Sequence, residues 1–92
     1  MTTNPLGLEQ SDEDVATHDP AKVVLFNDNV HTFEEVITQI IKATRCTQGK
    51  AEGLAWEVHT RGKAIVFSGE MLRCVQVSGI LEEIQLMTQI EV

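Results

Sequence analysis

Aromatic residues, cysteines and signal-like segments are scarce in this chain. Its 92 residues include one Trp, three Phe and no Tyr, so no platform for stacking nucleic-acid bases is visible and aliphatic side chains must fill the core. The two cysteines, Cys46 and Cys74, are too few and too far apart for a disulfide scaffold, and neither belongs to a Cys-x-x-Cys or Cys/His metal spacing. No apolar run approaches the roughly 20 residues that cross a bilayer, and the N-terminus has neither a basic region nor a signal-length apolar stretch. A cytoplasmic, monomeric protein without membrane attachment is expected. Positive charge is also short, with seven Lys and Arg against fourteen Asp and Glu, a formal charge of −7. Five of those acids (Glu9, Asp12, Glu13, Asp14 and Asp19) fall in residues 1–20, which carry no Lys or Arg. An acidic balance disfavours nucleic acid and anionic membranes as partners, since both need clustered basic side chains, and favours a cationic one.

A chain this short makes one domain with a modest core and room for a single site. Residues 1–20 have no sustained hydrophobic period and are expected to form a mobile acidic tail ahead of a core over residues 21–92. Val23, Val24, Leu25 and Phe26 form a β-rich apolar run stopped by the turn formers Asn27, Asp28 and Asn29, the mark of a strand. Thr32 and Glu35 have capping-box spacing, which predicts a helix from Phe33. Phe33, Val36, Ile37, Ile40 and Ile41 then define one apolar face, leaving Glu34, Glu35, Gln39 and Lys42 outside it. Ala51, Leu54, Ala55 and Val58 form a second stripe whose small residues allow close packing, ended at Arg61 and Gly62. Lys63 to Phe67 reads as a strand. Ser68 is expected to cap a third helix from about Gly69 that Gly79 weakens, while Ile80 to Ile84 is ambiguous. Leu86, Thr88, Ile90 and Val92 alternate with polar or exposed positions as a final strand. The order β-α-α-β-α-β gives an α+β fold, a small three-stranded antiparallel sheet packed against three helices.

Catalytic machinery is thin. Cys46 with His31 or His59 as base lacks an orienting group and an oxyanion hole, so no enzyme activity is expected. His18, His31 and His59 are too far apart in sequence for a preformed metal site, and no metal or other cofactor is expected. A more telling grouping joins Asn27, Asp28 and Asn29 at a strand exit, Thr32 and Phe33 at a helix start, and Val58 and His59 at a helix end. Amides, a carboxylate and a neutral imidazole supply acceptors for an ammonium group, and Phe33, Val58 and Leu86 offer an apolar wall, together a site for a free amino terminus. Each piece also has a plainer explanation, namely a turn, a helix-terminal His and core packing.

Val-Val-Leu-Phe-Asn-Asp-Asn at 23–29, Thr-Phe-Glu-Glu-Val-Ile at 32–37 and Val-His-Thr-Arg-Gly-Lys-Ala at 58–64 resemble the ClpS family, the adaptors that carry proteins with destabilising N-terminal residues to the Clp protease's AAA+ unfoldase. The resemblance spans roughly residues 22–92. It implies that Asn27, Asp28, Asn29 and His59 meet the substrate's amino terminus and that Thr32, Phe33, Val58 and Leu86 line the side-chain pocket, with Phe33 at the gate. It also implies that Glu70 docks the unfoldase, with Arg73 substituting for a Lys common at the position of Val75. The third turn position is acidic in many members, whereas Asn29 is neutral, an expected loss of about 1 to 2 kcal/mol in ammonium binding. Two alternatives compete: a family-like module that binds or modulates the unfoldase without reading N-terminal residues, and a ribosomal-stalk-like docking domain.

Overall fold

The computed structural model describes residues 20–92; the expected tail therefore lies, apart from Pro20, outside the described residues. The elements run β1 (Ala21–Phe26), α1 (Phe33–Thr44), α2 (Gln48–Arg61), β2 (Lys63–Gly69), α3 (Met71–Glu82) and β3 (Thr88–Glu91). The strands form one three-stranded antiparallel sheet, as expected, and its strand order is β2-β1-β3.

The central position of β1 accounts for its continuous apolar run. Both of its edges are paired, and Ala21, Val23, Val24 and Leu25 are all buried. Val23 faces Phe67 and Val24 faces Ile65, so Val66 is an extra residue in β2 and the ladder bulges there. The helices cover the face carrying Ala21, Val23, Leu25, Ala64 and Val66, which join Ile40, Ala51, Ala55, Cys74, Val77 and Leu81 in one core. Fully buried aliphatics such as Leu25, Ile40 and Leu81 each stabilise the fold by about 1.5 to 3 kcal/mol.

Local signals set most boundaries. Thr32 Oγ1 accepts from the Glu35 amide at 3.1 Å while Glu35 Oε1 accepts from the Thr32 amide at 2.8 Å, so the expected capping box starts α1. Arg45 ends that helix in the left-handed region at φ 63° without glycine's help. Thr47 caps α2, Gly62 ends it at φ 90°, and Ala51 and Ala55 are buried on its inner face.

Two expectations fail, those for Ser68 and for Gln39. Ser68 does not cap α3: it pairs with Lys22 in β2, and the strand continues until Gly69 meets Ala21, so the helix begins at Met71 with Glu70 as an N-cap that makes no side-chain cap bond. Pairing with β1 satisfies the backbone there and displaces the cap. Gly79 does not weaken α3 enough to stop it, because Val77, Ser78 and Leu81 are buried on either side and hold the helix to Glu82. Gln39 is buried inside α1's packed surface, not outside it, since its Nε2 donates to the Ile80 carbonyl at 2.6 Å and to Glu83 Oε1 at 3.4 Å. The ambiguous segment is helical to Glu82, then a turn over 83–85 with Gln85 at φ 67°.

Candidate functional site

Two backbone bonds anchor the exit of β1. The Phe26 amide donates to the Met87 carbonyl at 3.0 Å and the Asn27 amide to the Gly62 carbonyl at 2.9 Å, tying the strand end to β3's approach and to the end of α2. Asp28 shapes the turn beyond it. Its Oδ1 accepts from the amides of Val30 at 2.9 Å and His31 at 3.0 Å, folding residues 28–31 into an Asx-type turn. Its Oδ2 lies 2.7 Å from His31 Nδ1, and His31 Nε2 reaches the Ile84 carbonyl beyond α3.

His31 is thus held between a carboxylate and a carbonyl, both acceptors, and only the imidazolium donates to both. Its pKa is raised above the ordinary 6.5, first by the Asp28 side chain and then by the Ile84 carbonyl, against a smaller opposing effect of burial. For Asp28, burial is the largest single influence and works upward. The His31 and Val30 amides and the His31 side chain together outweigh it and hold the carboxyl below its ordinary 3.8. The pair is a clasp joining the β1–α1 turn to the α3–β3 connection.

Above the clasp lies a cleft of about 460 Å³, bounded by the turn residues Asn27, Asp28, Asn29 and His31, by Phe33 and Val36 of α1, and by Ala55, Trp56, Val58 and His59 of α2. Helical spacing explains the walls: Phe33 and Val36 are three residues apart, and Ala55, Val58 and His59 lie on one face of α2. Ala55 and Val58 are buried in its inner wall, while His59, Asn27 and Asn29 are exposed at the rim. Phe33 is not a core residue: it is 38% exposed, with its ring edge-to-face to Trp56 at a centroid distance of 6.3 Å. Trp56 in turn lies 5.9 Å from the His59 ring. Among the described residues, no side-chain hydrogen bond occupies the Asn27 or Asn29 amides.

Six of the residues singled out in the sequence therefore converge: Asn27, Asp28, Asn29, Phe33, Val58 and His59. Thr32 is spent on the helix cap and does not line the cleft. Leu86 is buried one layer lower, around a separate void of about 20 Å³ shared with His31, Val36 and Val58, so it supports the floor without forming the wall. Glu70 and Arg73 lie apart from the cleft at the start of α3, where the Arg73 guanidinium stacks on the Phe67 ring at 5.2 Å. Four lining residues escaped the sequence reading: His31, Val36, Ala55 and Trp56. The i, i+3 spacing of Trp56 to His59 would have placed the indole beside the histidine. Among the described residues, no group of three or more His, Cys, Asp or Glu could hold a metal ion, and no helix is long and apolar enough to cross a membrane.

A small α+β domain with an apolar cleft rimmed by amides, a carboxylate and an imidazole has the build of a binding domain. The chain belongs to the ClpS family: the family described as "ATP-dependent Clp protease adaptor protein ClpS" matches residues 16–89. The E3 ubiquitin-protein ligase UBR2 of Homo sapiens is 39% identical over 69 residues, which cover 75% of this chain and 4% of the ligase. UBR2 of Mus musculus is 41% identical over 58 residues, 63% of this chain and 3% of that protein. The chain thus corresponds to a small part of each ligase. Among solved structures, Agrobacterium tumefaciens ClpS2 bound to L-phenylalaninamide superposes with a TM-score of 0.74 at 20% identity, covering 79% of this chain and 95% of that one, a likeness of fold.

Proposed function

We propose that the protein is an adaptor that binds the free N-terminal residue of substrate proteins, with a large hydrophobic or aromatic first side chain, and delivers them to a Clp AAA+ unfoldase. The observation that carries this reading is the cleft itself, where the amides of Asn27 and Asn29, the Asp28 carboxylate and His59 rim a space walled by Phe33, Val36, Ala55 and Val58. An α-ammonium at that rim meets the Asp28 carboxylate, whose charge is shared with His31, and acceptors at Asn27 and the His59 ring. It also lies by the last turn of α2, the negative end of a helix dipole. The apolar walls receive the first side chain. Family membership and the phenylalaninamide bound to the Agrobacterium relative support this choice of ligand.

Asp28 acts partly through shape, since both of its oxygens already accept bonds within the turn. Asn29 supplies an amide and no charge, so selectivity for the charged terminus falls on Asp28 and His59. β-Branched first residues are expected to bind less well, because they are widest at Cβ, where a gate formed by Phe33 would be narrowest. Glu70 and Arg73 at the exposed start of α3 form the unfoldase-docking surface in this reading. Neutral Asn29 favours a second reading, a family member that modulates the unfoldase without reading N-termini. A peptide array covering every first residue separates the two. The adaptor reading expects binding confined to large apolar first residues and lost in Asn27→Ala and His59→Ala; uniform or absent signals support the modulator.

A further inference from the structure

Trp56 is the only tryptophan in the chain, and it is 60% exposed. Its indole is therefore available at the surface beside the cleft, an apolar face with a polar N–H at its edge. The ring has Phe33 edge-on at 6.3 Å and His59 tilted at 40° and 5.9 Å, so three rings line one side of the cleft mouth. It lines the cleft described above and also a second, shallower depression on the outer face of α2, with Gly53, Glu57, Thr60 and Arg61. Gly53 has no side chain to cover the indole, and a Cβ there would meet nothing within 4 Å, so the ground on that side is open. Glu57 and Arg61 bring one charge of each sign.

We infer that Trp56 is a specificity-determining residue that reads the second residue of a bound peptide and favours a neutral planar side chain there. The inference rests on the reading of the cleft as the site of the first residue. A second Cα lies about 3.8 Å from the first, so a peptide whose first side chain fills the cleft carries its second to the rim, where Trp56 joins the two depressions. An aromatic second side chain stacks on the indole; Asp or Lys there meets a like charge from Glu57 or Arg61 as well as an attraction, and gains less.

The test is a competition binding assay with peptides that begin Leu-Phe or Leu-Gly and are otherwise identical, each also N-acetylated, against wild type, Trp56→Ala and Trp56→Phe, with thermal melts confirming that each variant folds. Wild type is expected to prefer Leu-Phe by about fivefold to tenfold. Trp56→Ala is expected to reduce that ratio to less than about twofold, and Trp56→Phe to leave an intermediate value that also reports should the alanine variant fail to fold. The ratio is the readout because Trp56 also touches the first cleft, so absolute affinities change for either role. Acetyl-sensitive binding with no second-residue preference in wild type, or a preference unchanged in both variants, overturns this inference alone. Binding insensitive to acetylation overturns it together with the reading of the cleft.

Discussion

Removing the Asp28 carboxylate should loosen the turn on which the cleft depends. Asp28→Ala deletes three hydrogen bonds, from the amides of Val30 at 2.9 Å and His31 at 3.0 Å and from His31 Nδ1 at 2.7 Å. Hydrogen bonds to a charged group contribute up to about 1.5 to 3 kcal/mol each when shielded. The Asp28 side chain is 26% exposed, however, so water both screens the charge and replaces part of the bonding. The expected net loss is about 2 kcal/mol, or about 8 to 16 °C in melting temperature for a domain of this size.

The same pair sets a pH dependence whose sign is fixed by the direction of the two shifts. His31 titrates above 6.5 in the folded protein, so its stabilising contribution is complete below about 6.5 and is lost as pH rises through the raised value. Asp28 titrates below 3.8, so its contribution is present above 3.8 and is lost as pH falls through the lowered value. Between those limits both groups are charged and the clasp is complete. Urea unfolding of wild type, Asp28→Ala, His31→Ala and the double variant should give a coupling free energy of about 1 kcal/mol at a pH of about 5.5 that shrinks as the pH is raised through the His31 titration. A coupling near zero, or one that grows at the higher pH, would refute the reasoning.

Three further substitutions probe the frame around the cleft. Gly62→Ala should destabilise by about 1 to 2 kcal/mol in thermal unfolding: a Cβ there meets nothing within 4 Å, so the whole cost is the φ of 90°. Gly79→Ala should raise stability by about 0.5 to 1 kcal/mol, as the residue is exposed inside α3 and has open space around it; a loss would contradict the helical assignment. Gln39→Ala should cost about 1 kcal/mol by removing one of the two donors to the Ile80 carbonyl, and a neutral result would show that the Glu83 amide at 3.1 Å satisfies it alone.

Local chemistry decided which parts of the fold could be read from the sequence. The α1 start was legible because Thr32 and Glu35 satisfy each other's backbone donors within four residues, and β1 because an unbroken apolar run stopped by Asn27, Asp28 and Asn29 leaves few alternatives. Ser68 misled because its cap signal is local while the pairing of Lys22 with Ser68, which overrides it, joins distant segments. Gln39 and His31 share that limit: their partners at Ile80 and Ile84 lie 41 and 53 residues away, and only the folded chain brings them near. The rim of the site was legible through polar residue types at element ends. Its interior was less so, because Val36 and Ala55 read as ordinary core residues and only the folded chain gives them a cleft-facing side.

Recognition of a free amino terminus is the central claim, and one paired titration addresses it. A peptide beginning with Phe and its N-acetylated twin are titrated against the wild-type protein by isothermal calorimetry at a fixed pH. The acetyl group removes the ammonium charge and leaves the first side chain unchanged. The Asn27, Asp28 and His59 rim then loses a partner worth at least about 1.4 kcal/mol, so the twin should bind at least about tenfold more weakly. Equal affinities would contradict the account.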